Sequence, residues 1–439
     1  MVDDDIYGNK RYYERFLDRL SFLHLPPEQL PDRFKVRRAP KYYCRNPDNV
    51  EHFHRLISHL ESRDLSYIHR LRVLHDLLFI SFYTEKNLIA LERDDINMVV
   101  SAMHRHYKSP SSKSHFVKHL KHIWKTLFPE TDHLGRVDDT ATPYVVRHIS
   151  STPDKSRNKL RKDKMTVEEY RRILEYFSND LRIQAYLALA YESLGRPQEI
   201  LYVRIENVEL RDNYAKVWIA DHGKEGPGLL QCIDSYPYLL RWLSLHPERS
   251  NPEAFLFINL GRRNAMKQLT PNNINKKLRL ACKNLGINKP ITCYSFKRNG
   301  VTIRRLRGES DVEIQHAARW ASTKQLKTYD LSVQSEALDI QLQKRGIIAA
   351  SEGTKNPLDV KKCGFCNTVA GSTDIVCPQC QRPLDKKLRM EEMNKDAELK
   401  LLRHSLAEFR KELALIKQGA LASCHEKVPL TEIPVFVEG

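Results

Sequence analysis

One stretch of this chain, YAKVWIADHGKEGPGLLQCID, reads as strand, turn and strand. Its β-branched and aromatic runs flank a turn rich in glycine and proline that carries Lys224. Almost every other structured-looking segment repeats apolar residues three and four apart, the period of a helix. That pattern leaves room for one small sheet in a helical frame, with FLFIN (residues 255–259) as a further short strand. The expected class is mainly α with a small β-sheet (α+β).

At 439 residues the chain is too long for one ordinary domain, and its 41% hydrophobic content is enough for more than one core. Residues 1–48 form a basic N-terminal extension. RYYERFLDRLSFLHL has helical spacing there, and its Phe16, Leu17, Leu20 and Phe22 are expected to pack on the next unit. The run RFKVRRAPKYY reads equally as a DNA-tracking arm or a solvated linker. Residues 49–136 are a helical unit, with Asp94 or Asp95 expected to cap the helix in RDDINMVVSAMHRHY. Its last helix carries Lys118, Lys121, His122 and Lys125 around a stripe of Phe116, Leu120, Trp124 and Leu127. That face suits either phosphate or plain solvent. Residues 137–164 read as a basic linker, and residues 165–346 as a second, mixed unit. The latter opens with a capping box of Thr166 and Glu169, and its apolar helix LRIQAYLALAYESLG is expected to stop at Gly195.

Lys+Arg 72 against Asp+Glu 55 leaves a formal charge of +17, the balance of a protein that meets a polyanion, most often nucleic acid. The N-terminus shows no apolar signal core, and no stretch approaches a membrane span. The expected setting is cytoplasmic and nucleoid-associated, with no membrane partner.

LGRPQEI sets Arg196 at a rigid junction, after a glycine and before a proline suited to the first position of a new helix. Its planar fork suits two phosphate oxygens. Glu199, one turn on, is placed to buttress that helix or a neighbouring arginine. Downstream, Tyr329 follows Trp320 by nine residues in ARWASTKQLKTYDLS. A tyrosine behind such a polar, lysine-bearing segment can serve as a covalent nucleophile when cations receive the phosphate.

Together these pieces resemble the tyrosine recombinase (phage integrase) family: residues 165–335 its catalytic domain, residues 49–136 its helical core-binding domain. The family pattern is an arginine with a glutamate three residues on, a hairpin lysine, a His-x-x-Arg box, and a His or Trp nine residues before the tyrosine. Arg196, Glu199, Lys224, Trp320 and Tyr329 match. The middle box departs from it: Tyr294 stands for the histidine and Lys297 for the arginine, with Arg298 one residue further on. Lysine keeps the charge and loses the bidentate geometry. The resemblance implies site-specific recombination of double-stranded DNA through a 3′-phosphotyrosine on Tyr329. It implies Arg196 and Lys297 or Arg298 on the phosphate oxygens, Lys224 protonating the 5′-oxygen, and Tyr294 and Trp320 around the phosphate. It also implies a homotetramer on paired sites, with no ATP and no catalytic metal.

Cys363 and Cys366, then Cys377 and Cys380, form two Cys-x-x-Cys pairs within residues 361–384, the pattern of a structural four-cysteine zinc ribbon. A zinc ribbon behind the catalytic domain suggests the archaeal style of the family. Cys44, Cys232, Cys282, Cys293 and Cys424 have no paired spacing. Residues 385–418 read as an amphipathic helix with a heptad seam of Leu399, Leu402, Leu406, Phe409, Leu413 and Ile416, which suits either docking on the chain's own catalytic domain or, the favoured reading, a contact between protomers. The altered middle box leaves two further readings open: an integrase scaffold that binds DNA with impaired strand transfer, and a zinc-ribbon regulator.

Overall fold

The computed structural model describes residues 6–34, 41–138, 140–150, 152, 162–219, 225–349, 356, 358 and 360–423, and only the backbone of 263, 386, 389, 392 and 417–423. Lys224, Cys424, most of the basic run after Arg33 and most of the linker before Lys162 lie outside the described residues.

Six helices share the first core: α1 (Asn9–Asp18), α2 (Val50–Ser62), α3 (Tyr67–Phe82), α4 (Arg93–His106), α5 (Pro110–Leu127) and the single turn α6 (Tyr144–Arg147). Tyr13 and Phe16 of α1 reach Tyr67 and His75 of α3, so the lead helix packs on the next unit as its spacing suggests. Asp95 does not cap α4 from outside. It sits at the third helical position, where it accepts from the Glu92 backbone N–H at 2.9 Å and pairs with Lys86 at 2.8 Å. The polar face of α5 is largely committed. Lys121 donates to the Arg147 carbonyl at 3.2 Å and Lys125 to the Thr140 carbonyl at 3.0 Å. The His122 ring lies 5.6 Å from that of His59, and burial and then His59 push its pKa down to about 4. Of the four residues proposed for phosphate there, only Lys118 is exposed.

A second core gathers α7 (Val167–Tyr176), α8 (Leu181–Glu192), α9 (Pro197–Leu201), a sheet, α10 (Tyr236–Ser244), α11 (Pro271–Asn284) and α12 (Cys293–Leu306). The Thr166–Glu169 capping box opens α7, with reciprocal bonds of 3.0 and 2.8 Å. The sheet is antiparallel in the order β1 (Val208–Leu210), β2 (Ala215–Ile219), β3 (Gly228–Cys232). Ala215, Val217 and Ile219 alternate inward, as a half-buried strand requires. Residues 255–259 are not a strand. Phe255 and Ile258 each make one isolated bridge, to Arg204 and Gln268, and the run is an irregular buried segment.

The helix ending before Arg196 differs from expectation too. The left-handed residue is Leu194 (φ 54°), not Gly195. Leu194 tolerates that conformation because its side chain is fully buried, in a small cluster with Val301, Trp320 and Tyr329. Burial worth roughly 2 kcal/mol offsets a left-handed cost of about 1–2 kcal/mol. Gly195 is needed for closeness instead, since a Cβ there would meet Ile200 at 2.8 Å. Gly300 is tighter still: a Cβ would lie 2.1 Å from the Tyr191 carbonyl, so α8 and α12 cross in direct backbone contact.

The chain continues through α13 (Asp311–Ala317), α14 (Leu326–Tyr329) and α15 (Gln334–Lys344). Beyond them β4 (Lys361–Lys362) and β5 (Val369–Ala370) form a small hairpin around the cysteines. That knuckle rests on α10: Arg241 pairs with Asp374 at 2.8 Å, and Tyr238 shares a hydrogen bond with Ser372 at 3.0 Å. The last helix, α16 (Lys386–Ser423), keeps its whole predicted seam, from Leu399 to Ile416, exposed. Among the described residues no helix is long and apolar enough to cross a membrane.

Candidate active site

Arg196 stands at the N-cap of α9 in extended conformation (φ −73°, ψ 151°), with Pro197 at the first helical position. Glu199 serves both roles foreseen for it. It accepts from the Arg196 backbone N–H at 2.7 Å and from the Arg196 guanidinium at 3.0 Å. Its side chain is 1% exposed, so the carboxylate is costly to bury unless paired, and the pairing fixes the arginine. The other Arg196 amino group donates to Glu225 at 2.5 Å, at the end of the hairpin turn. Burial works most strongly against charge on Arg196, but Glu199, Tyr329 and Glu225 together outweigh it and hold the pKa above the usual guanidinium value.

The α12 helix brings Tyr294 and Lys297 to the same place. Tyr294 and Tyr329 share a hydroxyl hydrogen bond of 2.5 Å. Burial, then the bond to Tyr329, raises the Tyr294 pKa, so this residue stays a neutral phenol near pH 7 and suits hydrogen bonding rather than base catalysis. Tyr329 is buried against Trp320, with ring centroids 5.1 Å apart. Lys297 is fully buried, and its Nζ lies 5.6 Å from the Trp320 ring and 5.4 Å from that of Tyr329. It has no hydrogen-bond partner among the described residues, nor has Trp320 Nε1. Burial, and next the Arg196 charge, depress the Lys297 pKa to about 7. Buried donors without acceptors, next to a cation, describe a seat for an anion.

Arg298 does not join this group. It forms a close ion pair with Asp163, and its guanidinium lies over the Tyr294 ring at 5.2 Å. Asp163 is itself buried and accepts from Ser295 at 2.7 Å, so a residue read as linker is built into the wall of the second core. Thus Arg196, Glu199, Tyr294, Lys297, Trp320 and Tyr329 converge, and Arg298 is engaged elsewhere. One residue of the cluster escaped the sequence reading. Arg319 pairs at 2.6 Å with the Glu199 oxygen that also accepts from the Arg196 backbone N–H, and its only sequence signal is adjacency to Trp320.

Away from this cluster, Cys363, Cys366, Cys377 and Cys380 have sulfurs that all lie within 4.8 Å of one another. The closest pairs are 3.6 Å (Cys363 and Cys380) and 3.5 Å (Cys366 and Cys377). Four thiolates on a tetrahedral zinc at 2.3 Å stand roughly 3.8 Å apart, so the donor set fits that ion.

The family model described as the phage integrase family matches residues 163–335. Solved structures with a similar fold include the Tn1549 transposon integrase in complex with transposon right end DNA (11% identity, 67% of this chain and 99% of that one, TM-score 0.51). XerH site-specific recombinase bound to palindromic difH substrate is another (16% identity, 79% and 98%, TM-score 0.50). A third is a lambda integrase dimer bound to a core site (15% identity, 64% and 76%, TM-score 0.50). Among curated proteins none matches the chain.

A titration follows from Lys297. In the unfolded chain it holds its proton up to its ordinary 10.5, in the folded protein only below about 7. Between those values the unfolded state binds more protons, so folding stability rises with pH through this window and is lowest below it. Urea unfolding of wild type and Lys297→Met across that window should show a gap that closes as pH rises. The variant should be the more stable near pH 7, on the order of a few kcal/mol at about 1.4 kcal/mol per pKa unit. A constant gap would mean that the buried amine is not discharged.

Proposed function

We infer the chemistry from the family to which the chain belongs: it is a member of the phage integrase family through residues 163–335, and a tyrosine site-specific recombinase. The observation that carries the reading is the convergence of Tyr329, from the end of the domain, on Arg196 and Lys297, from separate helices. Three units would share the work on double-stranded DNA: a helical clamp (residues 49–136), the catalytic domain (165–346) and a cysteine knuckle with its helix (361–418). The solved relatives named above are DNA-bound, which supports duplex DNA as substrate.

In the reaction, Tyr329 Oη releases its proton to solvent and attacks the phosphorus of one strand. The Oη–P bond forms as the P–O5′ bond breaks, leaving a 3′-phosphotyrosine and a 5′-hydroxyl. Arg196 donates to a non-bridging oxygen after giving up Glu225, and Lys297 regains its proton beside the incoming anion. Neutral Tyr294 exchanges its bond to Tyr329 for one to phosphate, and Trp320 Nε1 finds the acceptor it lacks. Lys224 protonates the departing 5′-oxygen. The phosphodiester energy stays in the covalent bond, and a second 5′-hydroxyl reverses the step to exchange strands. Donors of this kind are each worth about 10²–10³ in rate.

The four cysteines would hold a structural zinc ion that replaces the core so short a segment lacks. The exposed seam of α16 would join protomers of a tetramer on paired sites.

Nicked duplexes of random sequence provide a test that needs no known target. Wild type should give a detergent-resistant protein–DNA adduct, and Tyr329→Phe none. An adduct that survives the substitution would remove Tyr329 from its role, and the absence of any adduct with wild type would favour the impaired DNA-binding reading. Elemental analysis should find one zinc per chain, lost in a Cys363→Ser/Cys377→Ser variant that proteases cut within residues 361–384; a metal-free wild type would refute the ribbon. Finally, Leu402→Asp/Leu406→Asp should dissociate the assembly in sedimentation on DNA and leave the monomer folded. An unchanged mass would assign that seam elsewhere.

A further inference from the structure

The helix α13 closes with a motif that ordinarily calls for glycine. The Arg319 N–H bonds to the His316 carbonyl and the Trp320 N–H to that of Gln315, both at 3.0 Å, the paired bonds of a Schellman cap. The left-handed residue of the cap is Arg319, at φ 57°. A side chain there costs about 1–2 kcal/mol that glycine would not. The side chain that incurs this cost does not point to solvent. It runs along β3, where Gly228 gives it passage: a Cβ at 228 would lie 2.9 Å from Arg319 Cδ. Gly228 has no positive φ, so the backbone does not demand glycine there; the arginine does.

The guanidinium ends in the active site, 11% exposed. Its Nη2 meets one oxygen of Glu199 at 2.6 Å, while Arg196 Nη1 holds the other at 3.0 Å. Its Nη1 reaches the Gly226 carbonyl only at 3.4 Å, and its Nε has no hydrogen-bond partner among the described residues. One buried carboxylate therefore aligns two guanidiniums beside Lys297, and three cations face two carboxylates, Glu199 and Glu225. Lysine offers a point charge and Arg298 is engaged by Asp163, so the second fork at this site is that of Arg319.

We propose that Arg319 is a catalytic residue that donates to the scissile phosphate, supplying the bidentate cation that Lys297 cannot be. This rests on the recombinase reading.

Arg319→Gly tests it, because glycine suits the dihedral and Arg196 stays paired with Glu199, so relief of the backbone cost offsets part of the lost ion pair and the variant should remain folded. With the nicked duplex pool, the variant should bind DNA within about threefold of wild type but form the Tyr329 adduct at least about 100-fold more slowly. Millimolar guanidinium, or Lys297→Arg added to Arg319→Gly, should restore at least about tenfold, while equal urea or sodium chloride should not. An Arg319→Gly protein within about threefold of wild-type cleavage overturns the proposal, and so does a loss that neither guanidinium nor Lys297→Arg relieves. If Arg319→Gly melts early, Arg319→Lys decides: cleavage at least about tenfold below wild type supports the fork, and parity refutes it. A wild-type protein without adduct sinks the recombinase reading and this proposal together; a wild-type adduct matched by Arg319→Gly sinks this proposal alone.

Discussion

The carboxylate of Glu199 is the contact on which the arrangement of the site depends. Hardly any of it meets solvent, and it holds the Arg196 backbone, the Arg196 guanidinium and the Arg319 guanidinium at once. A buried charge of this kind is stable only while its partners remain, so it couples Arg196 to Arg319, which sequence and secondary structure keep apart. It draws the start of α9 and the end of α13 to one point, and Arg196 in turn reaches Glu225 at the end of the hairpin turn. The two guanidiniums that this carboxylate collects, with Lys297 beside them, outnumber Glu199 and Glu225, and that imbalance is what a phosphodiester can relieve.

Around this centre the protein separates neutral hydrogen bonding from charge. Tyr294 remains a phenol because it is buried against another phenol, while the Lys297 pKa is depressed first by burial and then by the neighbouring Arg196 charge. Electrostatic readiness here depends on the substrate: an incoming anion favours the ammonium form of Lys297. Glu225 and Glu199 meanwhile each hold one amino group of the Arg196 guanidinium.

Much of this was legible in the chain. The helical periods located the helices, and the Thr166–Glu169 box and the Arg196–Pro197 junction announced their local geometry because capping is written in neighbouring residues. Where the reading failed, the deciding partner was distant. Residues 255–259 are apolar because they are buried, and an apolar run cannot say whether a neighbouring strand will pair with it. Arg298 looked as available as Lys297 until Asp163, 135 residues away, engaged it. Lys121 and Lys125 looked solvated until the carbonyls of Arg147 and Thr140 folded over them. Arg319 was invisible because its signal is a dihedral angle together with the passage of its side chain over Gly228, neither of which a one-dimensional text displays.

The contact of Gly300 with the Tyr191 carbonyl carries a last implication. Lys297 lies one turn before that glycine, and Arg196 follows a short loop after the helix it touches. The spacing between the two cations is thus gauged by a place where hydrogen alone fits. Adding even a methyl group there would wedge the helices apart like a shim under a hinge. The damage would register first as misaligned chemistry, while the surrounding core still held.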